Sequence, residues 1–208
     1  FSAGGDVSKN YAPLFVNTGA KVIDNSSYFR MHPEYPLVVP EANPEDLQGN
    51  LSIIANPNCS TVQAVVALKP LHDRYTLKRI VISTYQAVSG AGSLGIHDLE
   101  TRADQGHLKK FPYPIHQNLI PHIDVFLDNG YTKEEMKMVH EMRKILHLPN
   151  LAITATAVRV PVLNAHSESM NVTFEKPFNL EDIRQILTTS PGVILHDDPS
   201  SLTYPMPS

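Results

Sequence analysis

The stretch LSIIANPNCSTVQAVVAL, residues 51–68, passes from a β-branched run to apolar residues at helical spacing, with the only cysteine of the chain at the turn. LSIIA (51–55) reads as a buried strand. From Cys59 to about Leu71 the apolar positions Val62, Val65, Val66 and Leu68 repeat as one helical face until Pro70 disturbs it. A strand, a short turn and a helix in this order make the basic unit of a mixed α/β fold. The rest of the chain is consistent with that class. KRIVISTYQAVS (78–89) alternates and is rich in β-branched residues, as a strand that ends in SGAGSLG before a helix. Thr132 with Glu135 three residues on forms a capping box, and Met136, Val139, Met142, Arg143 and Leu146 then lie along one broad helical face. LAITATAVRVPV (151–162) and ESMNVTFEK (168–176) alternate like strands, and Asn179 and Asp182 mark cap and partner for a last helix.

Other segments are less regular. Residues 1–30 alternate short apolar runs with glycine, serine and asparagine, as strand ends meeting loops in a βαβ layout, and residues 31–50 read as a proline-rich loop. Residues 107–129 are proline-broken and apolar, which assigns them to packing or a subunit contact. The chain opens on Phe1 and stops at YPMPS with no closing element, which reads as a fragment.

Composition narrows the function. Seventeen basic and twenty-one acidic residues give a net charge of −4 without a basic, aromatic-interleaved run, which argues against a nucleic-acid partner. No apolar run approaches the roughly 18 residues that span a bilayer, so no membrane partner is expected. One cysteine cannot form an internal disulfide, which points to a reducing, cytoplasmic compartment. No HExxH motif or close His/Cys cluster implies a metal.

The cysteine is the chemical focus. Asn58 is placed to cap the helix, and a thiol in the first turn meets unpaired N–H groups and the positive end of the helix dipole, which favour the thiolate. The same N–H groups suit an oxyanion or a phosphate. The competing reading makes Cys59 a small buried hydrophobe. Gly90, Gly92 and Gly95 form a formal G-x-G-x-x-G, but no acidic residue follows about 20 positions on, so a plain strand-to-helix turn accounts for them. Glu134 and Lys137 lie three apart opposite Met136 and Val139, where they could reach a zwitterionic, phosphorylated substrate or form a solvated pair. RVPVLNAHSES puts Arg159 at a strand end with His166 just beyond; histidine suits a thiolate as acid-base partner, and arginine binds carboxylate through two parallel hydrogen bonds.

With NPNCST, YQAVSGAG, EEMK and RVPVLNAHSES in this order, and SAGG and VIDNSSYFR near the start, the chain resembles the aspartate-semialdehyde dehydrogenases over essentially its whole length. The resemblance implies a remnant of a Rossmann-type nucleotide-binding domain (1–58) and a mixed-sheet catalytic and dimerisation domain (59–208). It implies Cys59 as the nucleophile that forms an acyl-thioester, His166 as acid-base catalyst and Gln86 as the residue that orients the intermediate. Arg159 would hold the substrate α-carboxylate and Glu134 its amine, with Arg30, Asn58 and Lys137 on phosphate. Ser89 and Gly90, with the turn of Ser2, Ala3, Gly4 and Gly5, would touch NADP. The implied partners are aspartyl phosphate, aspartate semialdehyde and phosphate, in a homodimer or tetramer. The family's first strand and glycine-rich loop and its last segment have no counterpart here, so the piece alone is expected to bind NADP poorly. Two alternatives stay open: a related acyl-phosphate reductase such as N-acetyl-glutamyl-phosphate reductase, or a non-catalytic dimerisation module.

Overall fold

The computed structural model describes residues 1–49 and 51–207. They form two compact units, one from Phe1–Arg79, Lys137–Ala152 and Thr173–Leu195, the other from Ile80–Met136, Ile153–Val172 and His196–Ser208. Helices and strands are mixed throughout, so the α/β class expected from the alternating periodicities is what the chain adopts.

In the first unit, β1 (Val22–Asp24) pairs in parallel with β2 (Ile53–Ala55), Val22 opposite Ile53 and Asp24 opposite Ala55. Both strands are buried at alternate positions, which fixes this register, because a one-residue slip would expose Val22 and Ile53. Helix α1 (Gly5–Asn17) precedes them. This helix corrects the expectation of strand ends and loops over residues 1–30. Its buried positions are Ser8 and Ala12, four apart, so the face that packs carries almost no apolar signal. Ser8 holds the helix to β1 by donating to Asp24 Oδ1 at 2.5 Å. Helix α2 (Cys59–Tyr75) also exceeds its expected end near Leu71. Pro70 removes one intrahelical hydrogen bond, yet Leu71 and Tyr75 beyond it are buried, and that packing carries the helix past the proline.

The capping box at the start of α4 (Lys133–Ile145) is present: Thr132 N–H donates to Glu135 Oε2 at 2.7 Å and Glu135 N–H to Thr132 Oγ1 at 3.3 Å. The buried face is shifted from the one expected. Met138, Val139, Met142, Ile145 and Leu146 are buried, Met136 is only half-buried, and Arg143 donates to the carbonyl of Leu151. Helix α5 (Leu180–Thr189) is capped by Asn179, which accepts from Glu181 N–H. Asp182 is not part of that cap; its carboxylate takes Tyr75 Oη and Arg74 Nε, joining α5 to the end of α2.

A three-stranded sheet in the order β4-β3-β5 is made by β3 (Leu77–Gln86), β4 (Ala152–Arg159) and β5 (Ser167–Phe174). In the second unit β3 buries Ile80, Ile82, Thr84 and Gln86, then gives way to a 3-10 turn (Val88–Ala91) and α3 (Ser93–Glu100). The glycines of SGAGSLG serve this corner. Gly92 has φ +80°, and a Cβ on Gly95 would lie 2.8 Å from both Ala91 Cβ and Val88 O, so only glycine lets α3 pack on the turn. Residues 107–129 have no regular element, but Ile115 and Ile120 join Val88 in a core against Ile96, Leu99 and Phe111. Buried Asp98 anchors their start by accepting N–H bonds from Lys109, Lys110 and Phe111. Among the described residues, no helix is long and apolar enough to cross a membrane.

Candidate active site

In the first unit the turn between β2 and α2 puts Cys59 at the first helical position, with its side chain exposed. That exposure removes the reading of Cys59 as a buried hydrophobe. Asn58 is buried and caps the helix, its Oδ1 accepting from Ser60 N–H at 3.0 Å and Thr61 N–H at 3.4 Å. Those two donors are therefore satisfied by the cap, which corrects the expectation that they hold phosphate. The backbone N–H of Asn58 donates at 2.7 Å to Glu141 Oε2. Glu141 Oε1 in turn accepts from Arg30 Nη1 at 3.0 Å, while Arg30 Nη2 reaches the carbonyl of Asn25 at 2.9 Å. Arg30 is 7% exposed, and its Nε is buried with no hydrogen bond. The structure thus joins Arg30 and Asn58 through one carboxylate. Lys137 lies half-buried on α4 in the same unit.

At the N-terminus of α1, Gly4 has φ +96° and no side chain caps the helix. A Cβ on Gly4 would meet nothing within 4 Å, so the backbone there is open to close approach. Ser2, Ala3 and Gly4 thus lead directly into the helix start at Gly5.

The second unit gathers Gln86, Glu134, Arg159, His166 and Gly90. Gln86 at the end of β3 is 2% exposed, and its Nε2 lies 3.3 Å from Glu134 Oε1 and 3.2 Å from Thr84 Oγ1. Glu134 is itself buried, which corrects the reading of a solvated surface pair. Arg159, buried at the end of β4, donates from Nη1 to the carbonyl of Ala87 at 2.6 Å. The N–H of the same residue donates to His166 Nδ1 at 3.0 Å. A neutral ring that accepts at Nδ1 carries its hydrogen on Nε2, so His166 presents a donor. Burial first, and then the charge of Arg159, hold the imidazole below its usual range, partly offset by Glu134. A Cβ on Gly90 would lie 3.0 Å from Arg159 Nη1 and 3.2–3.3 Å from the His166 ring, so this glycine lets the 3-10 turn approach both. Ser89 N–H on that turn donates to the carbonyl of Leu163.

Residues 68–208 match the model of the semialdehyde dehydrogenase dimerisation domain, and residues 1–50 that of the semialdehyde dehydrogenase NAD binding domain. The chain belongs to the semialdehyde dehydrogenase family. It is similar to the aspartate-semialdehyde dehydrogenase of Aquifex aeolicus (strain VF5), 53% identical over 216 residues, covering 100% of this chain and 64% of that relative. It therefore spans less than two thirds of that relative's length. Its fold is similar to aspartate semialdehyde dehydrogenase II of Vibrio cholerae in complex with ASA, with a TM-score of 0.87 and 46% identity over 92% of this chain and 60% of that one. It is also similar to the enzyme of Candida albicans with NADP, with a TM-score of 0.68 and 26% identity over 89% of this chain and 53% of that one.

Three features of this chain escape sequence reasoning. Glu141 lies three residues after Met138 and four before Ile145, an acid inside the apolar stripe of α4, and that misplacement is a readable signal. The Ala87 N–H carries no signal at all, because any residue but proline supplies it. Glu168 on β5 has both carboxylate oxygens buried without a hydrogen bond, and burial pushes its pKa up to about 8. The folded carboxyl thus binds its proton far more tightly than the unfolded one. Its share of stability is full below about pH 4.5 and is lost as pH rises through about 8, on the order of a few kcal/mol. Unfolding midpoints at pH 5.5 and 8.5 check this: the wild type loses stability between them, and Glu168→Gln flattens the difference. Parallel profiles would contradict the assignment.

Proposed function

We propose that this chain carries the nucleophile and the acid-base residue of an aspartate-semialdehyde dehydrogenase, which reduces aspartyl phosphate to aspartate semialdehyde with NADPH in lysine, threonine and methionine biosynthesis. The observation that carries the reading is the exposed Cys59 thiol at the first turn of α2, behind a buried and fixed cap. The Cys59 thiolate attacks the acyl carbon; the C–S bond forms, the bond between that carbon and the bridging oxygen breaks, and phosphate leaves with that oxygen to Arg30, Asn58 and Lys137. A thiolate suits this path because a thioester accepts hydride more readily than an acid does, and sulfur can leave again. The nicotinamide cofactor, when bound, supplies the hydride. His166 then donates Nε2–H to the hemithioacetal oxygen while Gln86 orients the carbon. Collapse of the hemithioacetal returns the proton on its oxygen to His166 Nε2, expels the thiolate and releases the aldehyde. Arg159 holds the α-carboxylate and Glu134 the ammonium group, and Ser89, Gly90 and the Ser2–Gly5 turn contact the cofactor.

In this reading residues 1–58 belong to the nucleotide-binding domain and 59–208 to the catalytic and dimerisation domain, in a cytoplasmic homodimer or tetramer. Exposed Tyr113, Leu119, Val125 and Phe126 support the assignment of residues 107–129 to a subunit contact. The test is phosphate-dependent NADP reduction by the full-length enzyme with aspartate semialdehyde and with its N-acetylated glutamate counterpart. The aspartyl substrate is turned over, and Glu134→Gln lowers its kcat/KM by about tenfold or more through the lost ammonium contact. Turnover of the N-acetylated substrate alone, unaffected by Glu134→Gln, would transfer the assignment to the related reductase.

A further inference from the structure

Glu141 has no part in the chemistry above, yet it is 1% exposed and holds an ionisable carboxyl inside an apolar helix face. Its two oxygens are divided between two functions: Oε2 takes Asn58 N–H, one residue before the nucleophile, and Oε1 takes Arg30 Nη1. One helical turn further along α4, Lys144 Nζ donates to the carbonyls of Arg30, His32 and Tyr35 at 2.8, 2.7 and 2.9 Å. Two side chains of one helix therefore grip the Arg30 loop, and one of them also grips the nucleophile turn.

We propose that Glu141 is a positioning residue that sets the Cys59 turn and the Arg30 guanidinium in a single register. A buried ion pair is a weak source of net stability, because desolvation offsets most of its Coulomb attraction. Here burial outweighs Arg30 and the Asn58 N–H and leaves the carboxyl above its usual range, so the group is costly where it stands. Its return is geometric. A backbone N–H tied to a carboxylate cannot turn away, so the cap oxygen of Asn58 stays on Ser60 and Thr61 and Cys59 stays at the helix start. The same carboxylate fixes the plane of the guanidinium, whose Nε remains as a donor for a phosphate oxygen. The inference rests on the reading of Cys59 as nucleophile and Arg30 as phosphate ligand.

The test is alkylation of Cys59 by iodoacetamide against pH in the full chain, with and without inorganic phosphate, for the wild type, Glu141→Gln and Glu141→Ala. Removing a negative charge alone would make the thiol more reactive in both variants. If Glu141 acts by position, glutamine still accepts from Asn58 N–H and keeps the alkylation rate at pH 7 within about threefold, whereas alanine loses about tenfold. The phosphate concentration for half-protection rises about tenfold in Glu141→Gln, through the lost alignment of Arg30. Equal alkylation of the two variants, or protection of Glu141→Gln at the wild-type phosphate concentration, would overturn the proposal. Should Glu141→Ala fail to fold by circular dichroism, the phosphate arm on Glu141→Gln decides alone. A wild type that phosphate does not protect defeats the phosphate reading of Arg30, while the contrast between glutamine and alanine still judges Glu141.

Discussion

Cys59→Ala removes turnover, a fall of at least about 10⁴-fold in kcat, because no other group in the proposed path can form and break the bond to the acyl carbon. The same substitution leaves the fold intact. The side chain is exposed, so no cavity opens, and the cap of α2 is made by Asn58 without the sulfur. The unfolding midpoint therefore changes by less than about 1 kcal/mol. Steady-state turnover and denaturant unfolding of the same preparation check both halves. Retained turnover would remove the nucleophile assignment, and a large loss of stability would return Cys59 to a packing role.

His166→Ala lowers kcat by about 10²–10³-fold, the cost of deleting one preorganised donor to a developing oxyanion. Because Ala87 N–H occupies Nδ1, protonating that nitrogen would set two donors against each other 3.0 Å apart. Burial and Arg159 act in the same direction on the imidazole. A lowered histidine is charged only at a pH below its usual range and neutral above it, so the wild type has no histidine limb in kcat between about pH 6.5 and 8. A pH profile of kcat, with ¹⁵N chemical shifts of the ring to assign the tautomer, measures this directly. A limb centred at pH 7, or a hydrogen on Nδ1, would contradict the arrangement.

The legible parts of the fold were those where local chemistry and tertiary packing agree. Asn58 before an apolar helical face, Thr132 with Glu135, and the alternation of β3 each state their element without outside help. Helix α1 was hidden because its packed face is Ser8 and Ala12, and small residues bury without an apolar pattern. The end of α2 was hidden because the burial of Leu71 and Tyr75 overrides the local preference of Pro70. Among the residues proposed to act on substrate, Cys59, Arg159 and His166 are visible as residue types in motifs. The groups that hold them are not. The Ala87 N–H is a backbone atom without sequence identity, and Glu141 meets Arg30 across 111 residues of chain, a separation that no local window spans. Glu134 falls between these cases: its motif was readable, but its burial against Gln86 depends on where β3 ends.

The central claim is that Cys59 carries the acyl group, and the most direct measurement is mass analysis of the full-length enzyme after incubation with NADP and aspartate semialdehyde in the absence of phosphate. Without phosphate to release it, one aspartyl group is expected on the peptide bearing Cys59, and addition of phosphate discharges it. An enzyme that turns over while Cys59 stays unmodified, or that carries the acyl group on another residue, would contradict the account.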